Sequence, residues 1–139
     1  MVILAVDLGK ARTGLAICDK SEMLASPLGM IENKNLDRVA EKIAEYAKER
    51  KVEMLIVGLP KNMDGTEGES AQNARAFAQQ LNKLCNLPVE MQDERGTTIT
   101  AHNFLNTTDT RGKKRKKVVD TVAATIILED YLNYRKNTK

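Results

Sequence analysis

Residues 1–19 read MVILAVDLGKARTGLAICD, and this stretch decides the fold. Residues 2–6 form an unbroken apolar run that ends at Asp7, which is typical of a strand buried on both faces. A second apolar run, at residues 13–18, follows a short link that contains Gly9, so the two runs predict an antiparallel hairpin. Because no cationic leader precedes the first run, we expect a strand here rather than a signal peptide.

Beyond the hairpin, strand and helix patterns alternate. A third strand at residues 23–31 is interrupted by Pro27, which favours a place at the edge of a sheet. Two further strands are predicted at residues 52–57 and 87–91. The predicted helices cover residues 36–47, a segment capped by Thr66 or Ser70 and ending near residue 84, residues 97–106 and residues 117–134.

The order of these segments predicts a three-layer α/β fold. The first, fourth and fifth strands are separated by helices, which requires right-handed crossovers and a parallel group. The second strand joins the first antiparallel, so we expect a mixed five-stranded sheet with helices on both faces. The length fits one domain that spans residues 1–139.

The composition is that of an ordinary globular protein, with 42% apolar and 29% charged residues. No apolar run reaches the roughly 18 residues of a membrane-spanning helix, so we expect no membrane partner. Cys18 and Cys85 lie in apolar segments without a metal or redox motif, which is typical of core cysteines in a reducing compartment. These features predict a cytoplasmic protein.

A basic run stands near the end of the chain. Six of the seven residues from 111 to 117 are cationic, whereas the whole chain carries a net charge of only +3. This asymmetry indicates a polyanionic partner such as nucleic acid, although a solvated surface produces the same pattern. Asp120 follows three residues after the run and enters an apolar helical pattern.

Acidic residues follow the predicted parallel strands. Asp7 follows the first strand and Asp93 and Glu94 follow the fifth, so we expect them at one edge of the sheet. A last helix that begins near Lys117 above this edge would bring Asp120 to them. Clustered carboxylates repel one another unless a cation joins them, and Mg²⁺ or Mn²⁺ held by such oxygens can activate water for phosphodiester hydrolysis. Simpler interpretations stay open: a turn residue, solvated loop charges and a helix-dipole charge.

Two other phosphate-binding motifs fit less well. Gly9 and Gly14 have the spacing of a phosphate-binding loop, but Leu15 and Ala16 replace its Lys and its Ser or Thr. The D-x-G opening is also similar to that of sugar kinases and actin-type ATPases. Those enzymes need two such domains, and a chain of 139 residues supplies one.

Four motifs together resemble the YqgF (RuvX) family, whose members are described as pre-16S rRNA nucleases and Holliday junction resolvases with an RNase H-like fold. They are DLGKARTGLAICD from Asp7, VGLPKNMDGTEG from Val57, DERGTT from Asp93 and KRKKVVDTVAATIILEDYL from Lys114. The resemblance covers nearly the whole chain and implies the same fold.

The resemblance also implies a site. It places Asp7, Glu94 and Asp120 as the catalytic acids that hold Mg²⁺ or Mn²⁺. The residues expected to contact nucleic acid are Arg12, Lys61, Asn62, Thr66, Arg95, Arg111, Lys113, Lys114, Arg115, Lys116 and Lys117. Gly96 stands where the family usually carries an apolar residue, so a packing contact beside Glu94 is absent.

We therefore expect a metal-dependent endonuclease for structured nucleic acid, foremost the 5′ end of pre-16S rRNA. Two alternatives stay open: a Holliday junction resolvase that acts on DNA, and a nucleic-acid-binding module that keeps the fold without catalysis. RNA and DNA present the same phosphates, so the residues do not choose between them. The expected assembly is a monomer or a weak homodimer.

Overall fold

The structure, a computed structural model, describes residues 1–62, 64–93 and 113–138, and in the last range it describes side chains from 121 to 137. The elements are β1 (Ile3–Asp7), β2 (Arg12–Cys18), β3 (Ala25–Glu32), α1 (Leu36–Glu49), β4 (Met54–Leu59), α2 (Glu69–Cys85), β5 (Val89–Asp93) and α3 (Lys113–Thr138). Each was predicted, with ends shifted by a few residues. The predicted helix at 97–106 lies outside the described residues.

The strands form one five-stranded sheet in the order β3-β2-β1-β4-β5. Strands β1, β4 and β5 are parallel, and β2 runs antiparallel to both β1 and β3. The predicted mixed sheet is therefore confirmed. Pro27 lies in β3 at the sheet edge, where its missing N–H removes no hydrogen bond to a further strand in the described sheet.

Both faces of the sheet are covered, which explains why β1 is apolar at successive positions. Leu4 and Val6 pack in the core beneath α1 and α2. Ile3 and Ala5 pack in the opposite core beneath α3. Because strand side chains alternate between faces, each residue near the end of β1 can be assigned to one helix layer.

Helix α1 begins with a side-chain cap. The Asn35 side chain accepts hydrogen bonds from the backbone N–H groups of Asp37 and Arg38. Val39 and Ile43 are then buried one turn apart on the face that packs on the sheet. The helical spacing of apolar residues that was predicted for this segment is therefore confirmed in α1.

Helix α2 begins differently from the prediction. Gly68 is the N-cap and provides no side-chain hydrogen bond, and the helix starts at Glu69. Thr66 and Ser70 are therefore not the cap. The Thr66 hydroxyl instead donates to Asp64 Oδ1 at 2.6 Å, so this side chain stabilises the loop that precedes the helix.

The last helix also begins earlier than predicted. It starts at Lys113 rather than at Lys117, so residues 113–117 are helical and do not form a loop. Lysine and arginine are good helix formers, and no proline or glycine interrupts the run after residue 113. Asp120 consequently lies about two turns into the helix and not in its first turn.

Both cysteines are free thiols, with Cys18 buried and Cys85 half-buried, as predicted for core residues. Burial raises the pKa of each thiol. Across the described ranges, no helix has the length and apolar character needed to cross a membrane.

Candidate functional site

The parallel strands end together at what we call the carboxyl edge of the sheet. Val6 of β1 is level with Val57 of β4, and Leu59 of β4 is level with Asp93 of β5. Asp7 and Asp93 therefore terminate two strands at one edge, as predicted. Because β4 lies between them, β1 and β5 are separated by roughly 10 Å.

The two acids nevertheless lie on opposite faces of the sheet. Asp7 follows Ala5 by two positions, and Ala5 belongs to the core beneath α3. Asp93 follows Met91 by two positions, and Met91 packs against the core beneath α1 and α2. Strand alternation thus separates Asp93 from Asp7 although their strands end together.

Asp7 is half-buried at the end of β1. Its register partner on β2 is Gly14, so no β2 side chain stands next to it at that position. The link between the strands is tight, because a Cβ at Gly9 would overlap the backbone carbonyl of Arg12. This close approach of two backbone segments requires glycine at position 9.

Two side chains anchor the C-terminal half of α3 at the opposite, amino edge of the sheet. The Tyr131 hydroxyl donates to Glu90 Oε2 at 2.6 Å, and Arg135 Nε donates to Glu22 Oε1 at 2.7 Å. Tyr131 also lies against Met54, the first residue of β4. The N-terminal half of α3 therefore extends toward the carboxyl edge.

This orientation brings the turn that contains position 120 to the level of Asp7. Tyr131 lies eleven positions after position 120, which is roughly 16 Å of helix. Asp7 lies four positions after Ile3, which is roughly 13 Å of strand. Position 120 also precedes the buried Ala124 by one helical turn.

Part of the predicted site lies outside the described residues. This applies to Glu94, Arg95 and Arg111, and to the side chains of Asp120 and of residues 113–117. Among the side chains that the structure does describe, no three of His, Cys, Asp or Glu are grouped to hold a metal ion. The predicted trio of acids thus remains a prediction, with Asp7 as its described member.

Two predicted basic residues lie at the carboxyl edge. Arg12 begins β2, which runs antiparallel to β1, and it is half-buried opposite Glu32 of β3. Lys61 follows β4 and is half-buried, with its backbone N–H donating to the carbonyl of Leu59 at 3.0 Å. Both cations border the edge at which β1 ends.

Residues 60–68, which we call the central loop, are closed by their own polar groups. Asn62 Nδ2 donates to Thr66 Oγ1 at 2.9 Å, and the Asn62 N–H donates to the Thr66 carbonyl at 2.8 Å. Asp64 accepts from the backbone N–H of Thr66 at 3.0 Å, as expected for a turn residue. Asn62 and Thr66 thus hold the loop in shape, and their predicted contact with nucleic acid stays a prediction.

An ion pair that the sequence did not predict fastens this loop to α2. Arg75 Nε donates to Glu67 Oε1 at 2.7 Å, and Arg75 Nη2 donates to Glu67 Oε2 at 2.9 Å. Hydrogen bonding to Arg75 lowers the pKa of Glu67, and the nearby charge of Lys61 lowers it further. The two partners are eight residues apart, so no local spacing rule reveals them.

Comparison with known families agrees with the sequence motifs. The profile of the RuvX family, described as Holliday junction resolvase, matches residues 1–134. A relative from Halothermothrix orenii is 43% identical over 135 residues, which cover 97% of this chain and 96% of the relative. A relative from Clostridium botulinum strain Alaska E43 is 41% identical over 133 residues, which cover 96% of this chain and 97% of the relative. Both carry the name "Putative pre-16S rRNA nuclease".

Solved structures of low sequence identity share the fold. RuvC from Thermus thermophilus, in complex with a Holliday junction substrate, has a TM-score of 0.63 at 12% identity and covers 99% of this chain and 97% of its own. The fowlpox virus resolvase, in complex with Holliday junction DNA, has a TM-score of 0.60 at 13% identity and covers 96% and 98%. The predicted RNase H-like class of fold is therefore confirmed.

Proposed function

The chain belongs to the RuvX family of Holliday junction resolvases, and from that premise we propose that it is a divalent-metal-dependent endonuclease for structured nucleic acid, foremost the 5′ end of pre-16S rRNA. The observation that carries the proposal is the location of Asp7. It is a half-buried acid at the carboxyl edge, beneath α3, at the level of the helical turn that contains position 120. Acids at this edge of an α/β sheet are well placed for chemistry on a bound ligand.

In this proposal Asp7, Glu94 and Asp120 hold Mg²⁺ or Mn²⁺. The carboxylate of Asp7 is the type of oxygen ligand that these ions prefer, and its register partner Gly14 adds no side chain at that position. When bound, such an ion activates water and stabilises the charge that develops on the phosphodiester. Asp7 ends a buried strand, so its backbone is held in place by the sheet before any ligand arrives.

The cations around the edge bind the nucleic-acid backbone. Arg12 and Lys61 border the edge on either side of β1, and the helical residues 113–117 begin α3. Each phosphate contact made to duplex should steepen the salt dependence of binding by about 0.9 log units per log unit of salt. Arg95 and Arg111 are proposed to add to this surface.

The relatives favour precursor rRNA as the substrate. Proteins about 40% identical over nearly the full chain carry a pre-16S rRNA nuclease name. Junction DNA is the second candidate, because the family description and the RuvC complex both refer to Holliday junctions. We further propose a cytoplasmic location, where precursor rRNA would be met, and a monomer or weak homodimer.

A cleavage panel tests the choice of substrate. Purified protein is incubated with a 5′ precursor 16S rRNA fragment, a single-stranded RNA and a four-way DNA junction, each with and without Mn²⁺. We expect Mn²⁺-dependent cleavage of the precursor fragment. Symmetric cuts in the junction, with the RNA left intact, would instead establish the second candidate.

Calorimetry separates the enzyme from a non-catalytic binding module. Wild type should bind Mn²⁺ with a measurable heat, and Asp7→Asn should lose most of that heat. Equal heats for the two proteins, or none in either, would remove the metal site from the proposal.

A further inference from the structure

We propose that Arg75 is a positioning residue, which occupies the Glu67 carboxylate and thereby leaves the Lys61 ammonium available to a substrate phosphate. This inference rests on the proposed function, because it concerns how the same site binds nucleic acid. It assigns a role to the ion pair that joins Glu67 of the central loop to Arg75 of α2.

The geometry of the pair is specific although both side chains face solvent. Both Glu67 oxygens are engaged, one by Arg75 Nε at 2.7 Å and the other by Arg75 Nη2 at 2.9 Å. The Arg75 side chain is 49% exposed and the Glu67 side chain is 31% exposed. Exposed ion pairs contribute little to stability, so a two-pronged pair at this place points to control of geometry.

Glu67 has a second cation within reach. Its backbone forms an antiparallel bridge with Lys61, which makes the two residues direct cross-strand neighbours. Side chains in such a pair interact readily when their charges are opposite. The charge of Lys61 contributes to the lowered pKa of Glu67, but less than the hydrogen bond from Arg75 does. Arg75 therefore competes with Lys61 for one carboxylate.

Lys61 is the cation that stays available to a substrate phosphate when Arg75 binds Glu67. It leaves β4 two residues after Leu59, at the carboxyl edge, and β4 is the direct neighbour of β1. Adjacent strands are about 4.8 Å apart, so a phosphate beside Asp7 is within the span of a lysine side chain from the central loop. If Glu67 turned to Lys61, the positive charge that meets this phosphate would be neutralised.

Binding measurements in an Asp7→Asn background test the inference without cleavage of the probe. The probe is a fluorescein-labelled RNA hairpin with a single-stranded 5′ extension, followed by anisotropy at several salt concentrations. Arg75→Ala should raise Kd about three- to tenfold, the effect of one charge-assisted contact. It should also lower the salt slope by up to about 0.9, because one phosphate contact is lost.

The double variant Glu67→Ala/Arg75→Ala supplies the decisive comparison. Without the Glu67 carboxylate, no acidic group competes for Lys61. The Kd should therefore return to within about twofold of that of the parent, a change that corresponds to less free energy than one exposed ion pair contributes. Arg135→Ala is the matched control, because it removes a similar Arg–Glu pair at the amino edge. It should lower the melting temperature and leave Kd unchanged.

Two results would overturn the inference. Unchanged Kd in Arg75→Ala would show that Glu67 does not compete for Lys61. Weak binding that persists in the double variant would show that Arg75 contacts the RNA itself. Failure of the proposed function is distinguishable: wild type would then cleave no substrate, while the pattern of Kd values among these variants could still hold.

Discussion

At the scale of single residues, Thr13 stands out because its hydroxyl is fully buried in β2 and has no hydrogen-bond partner in the part of the chain that the structure describes. A buried hydroxyl without a partner destabilises the folded state. Thr13→Val keeps the branched shape and removes the unpaired group. We predict a gain of about 1 kcal/mol in the free energy of unfolding, measured by urea denaturation.

Thr13→Ala is the control for this prediction. It removes the same hydroxyl but also a methyl group, and the resulting cavity should cancel the gain. A valine variant less stable than wild type would contradict the account, since it would mean that the hydroxyl is satisfied.

The ionised carboxylate of Glu22 should make the free energy of unfolding depend on pH. Hydrogen bonding to Arg135, assisted by the N-terminal amine, lowers the pKa of Glu22 from 4.5 to about 2. A carboxylate with a depressed pKa in the folded state stabilises that state above its unfolded pKa, and the contribution is lost as pH falls toward the folded pKa. Glu22→Gln should therefore cost about 1–2 kcal/mol at pH 7, the range of a charge-assisted hydrogen bond.

The difference between wild type and Glu22→Gln should shrink as pH falls below about 4.5 and close near pH 2. Thermal melts of both proteins across this range measure it. A constant difference from pH 7 to pH 2 would show that the charge of Glu22 is not responsible. Glu41→Gln, which alters the exposed pair with Arg38, should show little difference at any pH.

At the scale of elements, the helical start of α3 changes what the basic run can do. Successive helix positions are about 100° apart, so the five residues 113–117 cannot all face the same side. Positions 116 and 117 precede position 120 by one turn and share its side of the helix, whereas positions 114 and 115 lie on the far side. We therefore expect these two groups of positions to differ in how strongly they affect binding.

This geometry predicts unequal effects from equal changes of charge. Lys116→Ala/Lys117→Ala should weaken RNA binding and lower its salt slope by as much as about 1.8, the value for two phosphate contacts. Lys114→Ala/Arg115→Ala removes the same charge and should have a much smaller effect. Anisotropy titrations at four salt concentrations compare the two. Equal slopes would mean that the run acts only through its total charge.

The elements show which features the sequence could predict and why others escaped it. The hairpin of β1 and β2 was predictable because residues 2–6 and 13–18 are apolar runs bounded by acids and a glycine. The start of α3 was missed because a cationic run looks like a solvated loop, although lysine and arginine favour a helix. The opposite faces of Asp7 and Asp93 depend on strand ends, which patterns locate less well than strands themselves.

The sequence predicted the position of Asp7 but not the ion pair of Glu67 with Arg75. Asp7 follows an apolar strand directly, so its edge could be inferred from the order of strands and helices. The pair of Glu67 and Arg75 depends on how the central loop folds back onto α2. Such a contact is tertiary, and neither helix nor strand spacing encodes it.

At the scale of the whole molecule, the two edges of the sheet carry different features: contacts that anchor α3 at one edge and the proposed site at the other. The amino edge holds the ion pair of Arg135 with Glu22 and the hydrogen bond of Tyr131 with Glu90, which fix the C-terminal half of α3. The carboxyl edge carries Asp7 and the central loop. The described polar anchors of α3 therefore lie at one edge of the sheet, and the proposed chemistry lies at the other.

The difference between the two edges provides a matched control for the proposed role of Asp7. Asp19 follows β2 at the amino edge, where its carboxylate accepts a hydrogen bond from the Ser21 hydroxyl at 2.6 Å. Asp19→Asn is the same chemical change as Asp7→Asn at the opposite edge. A loss of activity in one variant alone would locate the chemistry.

The most direct test is single-turnover cleavage of a 5′ precursor 16S rRNA fragment in Mn²⁺ by wild type, Asp7→Asn and Asp19→Asn. We predict that Asp7→Asn loses at least about a hundredfold in rate, the usual cost of removing a group that stabilises the transition state, while still binding the RNA. Asp19→Asn should cleave at the wild-type rate. Cleavage by Asp7→Asn at the wild-type rate would contradict the account.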